Sequence, residues 1–142
     1  MILTQYFPYI ISRIDAELGT QKSKIFKDFE LNLRAWQALV ALDERDGQRV
    51  TDLSRVALTD ISTLSRLLDN MEMKGLVEKR RARPNARSVT VHITDAGRNV
   101  VNETVPQALQ YQSTLLEGID EEKLAITRQV LSQIHENALF HK

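Results

Sequence analysis

The segment Val50–Thr94 constrains the fold more than any other part of the chain, because its hydrophobic period changes within it. Apolar residues first recur every three or four positions, which is typical of helices. The period changes at Leu76-Val77, and Val89, Val91 and Ile93 alternate with polar residues, which is typical of a strand. Residues 76–80 and 88–93 are therefore predicted strands, and the turn signal Pro84-Asn85 lies between them. Two short helices followed by such a hairpin predict a helix-turn-helix with a two-stranded wing.

The two helices of this segment have recognisable ends. Thr51 is predicted to cap the first, which runs to about Val56, and Asp60 to cap the second, which runs to about Lys74 before Gly75. The apolar side chains of the second helix are predicted to face inward: Ile61, Leu64, Leu67, Leu68 and Met71. Its predicted outward stripe is small and polar: Ser62, Ser65, Arg66 and Asp69. Small hydroxyls allow a helix to approach base edges closely, so this helix is a candidate for reading duplex DNA.

The charge distribution supports the same partner, although the formal net charge of the 142-residue chain is +0. Residues 79–87 contain five cations and no acid, while acids collect elsewhere. A cationic hairpin tip can grip the DNA backbone or enter a minor groove, and a neutral protein can bind DNA through such a local patch. Double-stranded DNA is therefore the expected partner.

Composition excludes several other classes of protein. The chain has no cysteine, which excludes disulfides and cysteine-ligated zinc within it, and no apolar run approaches the ~20 residues of a membrane span. Its start lacks the features of an export signal, so a cytoplasmic location without a membrane partner is expected. His92, His135 and His141 are scattered rather than paired at metal-ligand spacing, and the sequence has no glycine-rich phosphate loop or nucleophile elbow. We therefore expect no enzyme, and no catalytic residue, metal or cofactor.

Further helices are predicted on both sides of the helix-turn-helix and wing. Apolar residues at helical spacing predict an amphipathic first helix over 3–18, with Gly19 at its end or at a loosening before Lys22. Asn32 is predicted to cap a second helix over 33–42. A long helix is predicted after Thr94, with a kink or an interruption at Pro106, and Asp120 is predicted to cap a last helix. A compact monomer of this size would struggle to bury the apolar stripes of these helices as well as a core. The terminal helices are therefore predicted to pack against a second copy in a homodimer.

One alternative of a different class stays open. A winged helix can serve protein–protein contacts alone, without specific DNA binding. That alternative predicts no salt-dependent binding to DNA and no effect of substituting Arg66.

Several segments of the chain resemble the MarR family of winged helix-turn-helix regulators. They are Leu31–Leu39 at the start of a helix, Asp60–Arg66 and Lys74–Val77 around the recognition helix, Arg83–Ser88 in the wing, and Ile93–Arg98 at the exit from the wing. Each motif alone is modest, but together they occur in the right order and at the right spacing over nearly the whole chain.

The resemblance implies a fold that is mainly α with a small two-stranded β-wing, in the α+β class. It implies a single domain over 1–142, with a winged helix-turn-helix module over 33–94 and a helical dimerisation region formed by 1–30 and 95–142. Such a protein would be a transcriptional regulator, most often a repressor, that binds a pseudo-palindromic operator as a homodimer with half-sites about 10 bp apart.

The resemblance also implies which residues would contact DNA and ligand. The residues facing the major groove would be Ser62, Thr63, Ser65 and Arg66. Thr51 would meet a phosphate, Arg81, Arg83 and Arg87 would contact the backbone or the adjacent minor groove, and Asn85 would shape the wing tip. A small ligand, often aromatic or anionic, would bind between the dimer helices and the winged module; the candidates to contact it are Tyr9, Arg13, Trp36 and Tyr111. If no small molecule changes the affinity for DNA, the chain would be a constitutive repressor.

The sequence departs from the family pattern in two places. The wing has Asn85-Ala86-Arg87 where the family usually has Asp-x-Arg, so the ion pair that orients the arginine is lost and the tip is more positive. The turn before the recognition helix lacks the common glycine. Leu58 must therefore avoid a left-handed backbone or adopt it under strain.

Overall fold

The computed structural model describes residues 2–81 and 89–140, without the side chains of residues 20–23. The chain divides into two compact units, Met1–Ala108 and Leu109–Lys142. The described residues of the first unit form helices α1 (Phe7–Phe26), α2 (Leu33–Glu44), α3 (Val50–Val56) and α4 (Ile61–Met73), and strands β1 (Gln48–Arg49), β2 (Val77–Arg81) and β3 (Val89–Ile93). They also form short 3-10 helices at Leu3–Gln5 and Lys27–Phe29. Helix α5 (Asp95–Leu115) begins in the first unit and ends in the second, which also contains α6 (Glu121–Phe140). The domain boundaries drawn from the sequence stay predictions.

Side-chain caps define where four of the helices in the described part of the chain begin. The Asn32 side chain accepts a hydrogen bond from Ala35 N at 2.9 Å at the start of α2, and Asp60 Oδ1 accepts one from Thr63 N at 2.8 Å at the start of α4. Thr94 Oγ1 accepts a hydrogen bond from Gly97 N at 3.1 Å at the start of α5, and Asp120, the predicted cap of the last helix, accepts one from Lys123 N at 3.1 Å at the start of α6. The predicted cap at Thr51 is wrong. Because β1 runs directly into α3, the N-cap position belongs to Arg49, and Thr51 lies within the first turn of the helix.

The α3–α4 turn resolves the alternatives at Leu58. Leu58 has φ 50°, so it adopts the left-handed backbone. Leu58 N donates to Arg55 O at 3.2 Å and Thr59 N donates to Ser54 O at 3.1 Å, which is the bond pattern of a Schellman motif. The same motif ends α4, where the left-handed position is Gly75 with φ 72°. A leucine at this position carries the strain of its Cβ against the backbone.

We expect Leu58→Gly to raise the free energy of unfolding by about 0.5–1 kcal/mol, because the relief of left-handed strain exceeds the added entropy of the unfolded chain. The side chain is 63% exposed, so its removal loses little packing. Urea denaturation of both variants is the measurement, with Leu58→Ala as the matched control that keeps the Cβ. Equal stability of the glycine and alanine variants would show that the turn is unstrained.

The hydrophobic core of the first unit forms around α2. Several of its fully buried side chains come from α2, α3, α4 and the sheet: Ala38, Leu39, Leu42, Leu53, Leu64, Leu68 and Val91. Of the predicted inward face of α4, Leu64, Leu68 and Met71 are buried and Leu67 is partly buried. Ile61 contradicts the prediction, since it is 51% exposed. All of residues 61–63 are exposed, so the first turn of α4 extends past the core.

The sheet has three strands rather than the predicted two, in the order β1-β3-β2 with both pairs antiparallel. Strand β1 has only two residues, too few to show a period in the sequence. Strand β2 starts one residue later than predicted. Strand β3 runs from Val89 to Ile93, within the predicted 88–93, with Val91 and Ile93 buried, and residue 88 lies outside the described residues. The predicted turn at Pro84-Asn85 lies outside the described residues.

The terminal helices are more continuous than the sequence predicts. Helix α1 begins at Phe7 rather than at residue 3, because Leu3–Gln5 form a separate 3-10 turn, and it continues past Gly19 to Phe26, whose ring is buried in the core. Helix α5 continues through Pro106, so of the predicted kink or interruption the interruption is wrong. Proline removes one backbone donor, and the carbonyl left without it belongs to the exposed residue Asn102, where water can replace the bond. None of the helices in the described part of the chain combines the length and the apolarity that a membrane span requires.

Candidate nucleic-acid interface

Helix α4 presents the side chains that the sequence assigns to base reading. Ser62 and Arg66 are exposed and Ser65 is half-buried. Thr63 is exposed too, but its Oγ1 donates to Asp60 Oδ2 at 2.6 Å, so its hydroxyl also takes part in the helix cap. The side-chain and backbone hydrogen bonds from Thr63 hold the pKa of Asp60 below its ordinary value. The cap therefore stays ionised near neutral pH and keeps the start of the helix ordered.

Two carboxylates on α4 attach this helix to the first strand of the wing. Asp69 forms an ion pair with the Lys79 ammonium, and Glu72 Oε1 accepts a hydrogen bond from Lys79 N at 2.8 Å. Asp69 was predicted to belong to the outward stripe of α4, and its partner in the structure is β2. These contacts fix the orientation of the helix relative to the root of the wing.

The other strand of the wing is anchored by Asp46. In the register that pairs Gln48 with Val91, position 46 lies opposite Ile93, and Asp46 Oδ1 accepts a hydrogen bond from Ile93 N at 2.8 Å. Its Oδ2 lies 3.0 Å from His92 Nδ1. Burial raises the pKa of Asp46, but the hydrogen bonds from Ile93 N, His92 and Gly47 N outweigh it, so the pKa lies below the ordinary value. The carboxylate thus replaces a backbone carbonyl just before β1 begins, and it holds the last residue of β3.

Arginines lie on both outer strands of the sheet. Arg49 on β1 and Arg80 on β2 both pair with Thr90 on β3, so the three residues form one row across the sheet. Both arginines are exposed, and Arg80 forms an ion pair with Glu78. Arg49 is not among the contacts predicted from the sequence, because its two-residue strand carries no pattern. The row therefore places one exposed arginine on each edge strand of the sheet.

Of the remaining residues predicted to contact DNA, the structure describes two. Thr51 is exposed in the first turn of α3, and Arg81 is exposed at the end of β2. The three wing-tip residues Arg83, Asn85 and Arg87 lie outside the described residues.

The candidate ligand contacts have other partners in the structure. Trp36 stacks on Phe26 with ring centroids 4.7 Å apart, and its Nε1 donates to Thr104 Oγ1 at 2.8 Å. The Arg13 guanidinium lies 5.8 Å from the centroid of the Tyr9 ring, in cation–π range. Trp36 is therefore part of the packing of the first unit.

The second unit contains Tyr111 and an open groove of about 540 Å³. Apolar side chains and polar ones line this groove, among them Leu116, Glu117, Ile119, Leu124 and Arg128. None of the four residues predicted to contact a ligand lines it. The ligand contacts stay predictions.

A pair of short helices with Asp60 capping the second, a buried core beneath that helix and a strand hairpin anchored at its root define a winged helix-turn-helix protein. Residues 31–89 match the model of the MarR family. The sequence is 23% identical over 130 residues to the HTH-type transcriptional regulator PecS of Dickeya dadantii, covering 89% of this chain and 78% of that protein.

Solved structures give the same result. A transcriptional regulator of the MarR family from Silicibacter pomeroyi superposes with a TM-score of 0.83 at 28% identity, over 95% of this chain and 91% of that one. The helix-turn-helix and wing of this chain, within residues 31–89, belong to the MarR family of transcriptional regulators.

Two further structures share the fold at lower identity. PcaV from Streptomyces coelicolor, solved with its natural ligand, has a TM-score of 0.83 at 16% identity and covers 97% of both chains. MepR from S. aureus, solved with DNA, has a TM-score of 0.82 at 19% identity and covers 93% of this chain and 97% of that one.

Proposed function

We propose that the chain is a homodimeric repressor that binds a pseudo-palindromic DNA operator and whose affinity is modulated by a small ligand. The observation that carries the proposal is the exposed polar face of α4, held to β2 through Asp69 and Glu72. A helix fixed in this way can present Ser62, Ser65 and Arg66 to the major groove. Such a regulator acts in the cytoplasm, where the chromosome is, and the proposal assigns it no catalytic step and no cofactor.

The roles of the individual residues follow from their chemistry. Arg66 can donate to two acceptors of one guanine, while Ser62, Thr63 and Ser65 approach neighbouring base edges through their hydroxyls. Thr51, Arg81, Arg83 and Arg87 contact phosphates or the minor groove, and Asn85 shapes the wing tip. Phosphate contacts position the protein, and base contacts give it sequence preference.

The exposed apolar side chains of the terminal elements support the homodimer. In the first unit, Ile10, Ile11 and Ile14 on α1 are exposed. In the second unit, α6 has no buried residue and exposes the side chains of Ile126, Val130, Leu131 and Leu139. Apolar surface on this scale marks a contact with another chain, and a second copy supplies complementary stripes by symmetry.

Ligand control is supported by the family and by the ligand complex of PcaV. A ligand changes DNA affinity only if it binds one separation of the two recognition helices better than another. Tyr9, Arg13, Trp36 and Tyr111 are the proposed contacts, with aromatic and cationic chemistry suited to an aromatic or anionic molecule.

The proposal is tested by fluorescence anisotropy with the DNA upstream of the chain's own gene and a scrambled duplex, over a series of salt concentrations. Tight binding that falls steeply with salt and prefers the upstream DNA supports a specific regulator. Absence of binding to both duplexes at low salt would favour a protein-contact module. Equal weak binding to both would reject the upstream DNA as an operator.

Substitutions of Arg66 and Arg87 should separate base reading from phosphate binding. We expect Arg66→Ala to relax the preference at one base position in each half-site, a loss of roughly 1–3 kcal/mol of discrimination. Arg87→Ala should instead weaken binding to every duplex and reduce the salt slope by about one unit for each phosphate that the protein no longer neutralises. Lys24→Ala, at an exposed cation near the end of α1, is the control for loss of charge alone. Identical effects of Arg66→Ala on operator and scrambled DNA would remove its base-reading role.

A further inference from the structure

Ile61 is an apolar side chain at the start of the recognition helix that the core does not use. It is the first residue of α4, and it is 51% exposed while Leu64 and Leu68 on the same helix are fully buried. One turn later on the same side of the helix, at i+4, lies the half-buried Ser65. Ile61 therefore stands beside the residues proposed to read bases.

Local structure does not account for an isoleucine at this position. The helix cap is made by Asp60 and Thr63, and a hydrophobic staple would join Thr59 to Leu64 rather than use Ile61. Isoleucine is also a weaker helix former than alanine, lysine or glutamate. Neither helix formation nor core packing requires a branched apolar side chain here.

Duplex DNA offers one apolar group in the major groove, which is the C5-methyl of thymine. Recognition helices contact base edges mainly through their N-terminal residues, and Ile61 is the first of these in α4. The neighbouring Ser62 and Arg66 supply hydrogen-bonding groups but no apolar surface suited to a methyl group.

We propose that Ile61 is a specificity-determining residue that packs against the C5-methyl group of a thymine in each half-site. This inference rests on the proposed function of the chain as a DNA-binding regulator. Contact with the methyl group removes apolar surface of both partners from water, and a cytosine or a uracil at the same position offers no such group. The operator is therefore expected to have a thymine at one position of each half-site that hydrogen bonding alone does not explain.

The experiment first selects the preferred site of the wild-type protein from a pool of random duplexes. Each thymine of the selected site is then replaced in turn by deoxyuridine, which removes only the methyl group, and binding is measured by anisotropy for wild type and Ile61→Ala. We expect one exchange per half-site to weaken wild-type binding about fourfold, the worth of one buried methyl group. The same exchange should leave binding of Ile61→Ala unchanged, while exchanges at other thymines affect both proteins alike.

Val56→Ala is the matched control, because Val56 is 49% exposed on α3 and lies outside the recognition helix. It should keep the full response to deoxyuridine, and the melting temperature of Ile61→Ala should equal that of wild type. A selected site at which no exchange separates wild type from Ile61→Ala would overturn this inference and leave the proposed function intact. Failure of the selection to enrich any sequence would instead overturn the proposed function, and this inference with it.

Discussion

Replacement of Gly97 by alanine is expected to destabilise the first unit by at least about 3 kcal/mol. A Cβ at this position would lie 2.2 Å from the carbonyl oxygen of Leu76 and 2.8 Å from Ile93 Cγ1. The Leu76 carbonyl cannot move aside freely, because it accepts a hydrogen bond from Thr94 N at 3.1 Å. Thr94 Oγ1 in turn donates to Gly75 O at 2.6 Å and accepts from Gly97 N at 3.1 Å. The clash therefore opens the junction where the recognition helix, the wing and α5 meet.

The matched control is Gly19→Ala, in the interior of α1. No atom of the described residues outside its immediate surroundings lies within 4 Å of a Cβ at Gly19. Alanine should therefore stabilise the helix there by about 0.5–1 kcal/mol. Urea denaturation and operator binding of both variants give the test. If Gly97→Ala unfolds at the same urea concentration as wild type, the close packing of α5 on Leu76 is not as tight as the structure indicates.

The close packing of Gly97 against Leu76 shows why part of this fold could not be predicted from the sequence. Local signals predict local structure well: Asn32 and Asp60 are the caps that the sequence predicts, and the alternation through Val91 and Ile93 marks a strand. The need for glycine at position 97 arises from a strand end some twenty residues earlier in the chain, which no local pattern reveals.

The wrong predictions have similar causes. Helix α1 passes Gly19 because Phe26 beyond it is buried in the core, and tertiary packing outweighs the poor helix propensity of glycine. Ile61 has the right helical spacing for burial but lies one turn ahead of the core. Strand β1 is held by the buried Gln48, whose amide donates to Ala41 O at 2.6 Å and to Arg45 O at 2.8 Å, rather than by strand propensity.

The candidate site was predictable where its residues share one element. The exposed polar side chains of α4 follow from helical period, and Ser62 and Arg66 are exposed as expected. The contacts that hold this helix to the wing join residues distant in sequence, and the Asp46 anchor of β3 spans 47 positions. The sequence indicates only a turn at Asp46. Its contact with Ile93 depends on the register of β1 and β3, which places the two residues opposite each other.

Trp36 is expected to stabilise the first unit by several kcal/mol, whatever its part in ligand binding. Trp36→Ala removes the ring stacked on Phe26 and should lower the free energy of unfolding by about 3–4 kcal/mol. Trp36→Phe keeps an aromatic ring but loses the N–H that donates to Thr104 Oγ1. Because Thr104 is fully buried, its hydroxyl would lose this partner in an apolar surrounding, which costs about 1–3 kcal/mol.

A double-mutant cycle with Thr104→Val isolates that hydrogen bond. The Thr104 hydroxyl also donates to Val100 O at 2.7 Å, so valine removes both of its bonds while preserving its shape. We expect the double variant Trp36→Phe/Thr104→Val to lose about 1 kcal/mol less unfolding free energy than the sum of the losses of the two single variants. In the double variant both partners of the hydrogen bond are gone, so neither is left unpaired. Additive effects would show that the bond contributes nothing. If Trp36→Phe left stability unchanged and abolished only a response to ligand, Trp36 would belong to the ligand site rather than to the packing against α5.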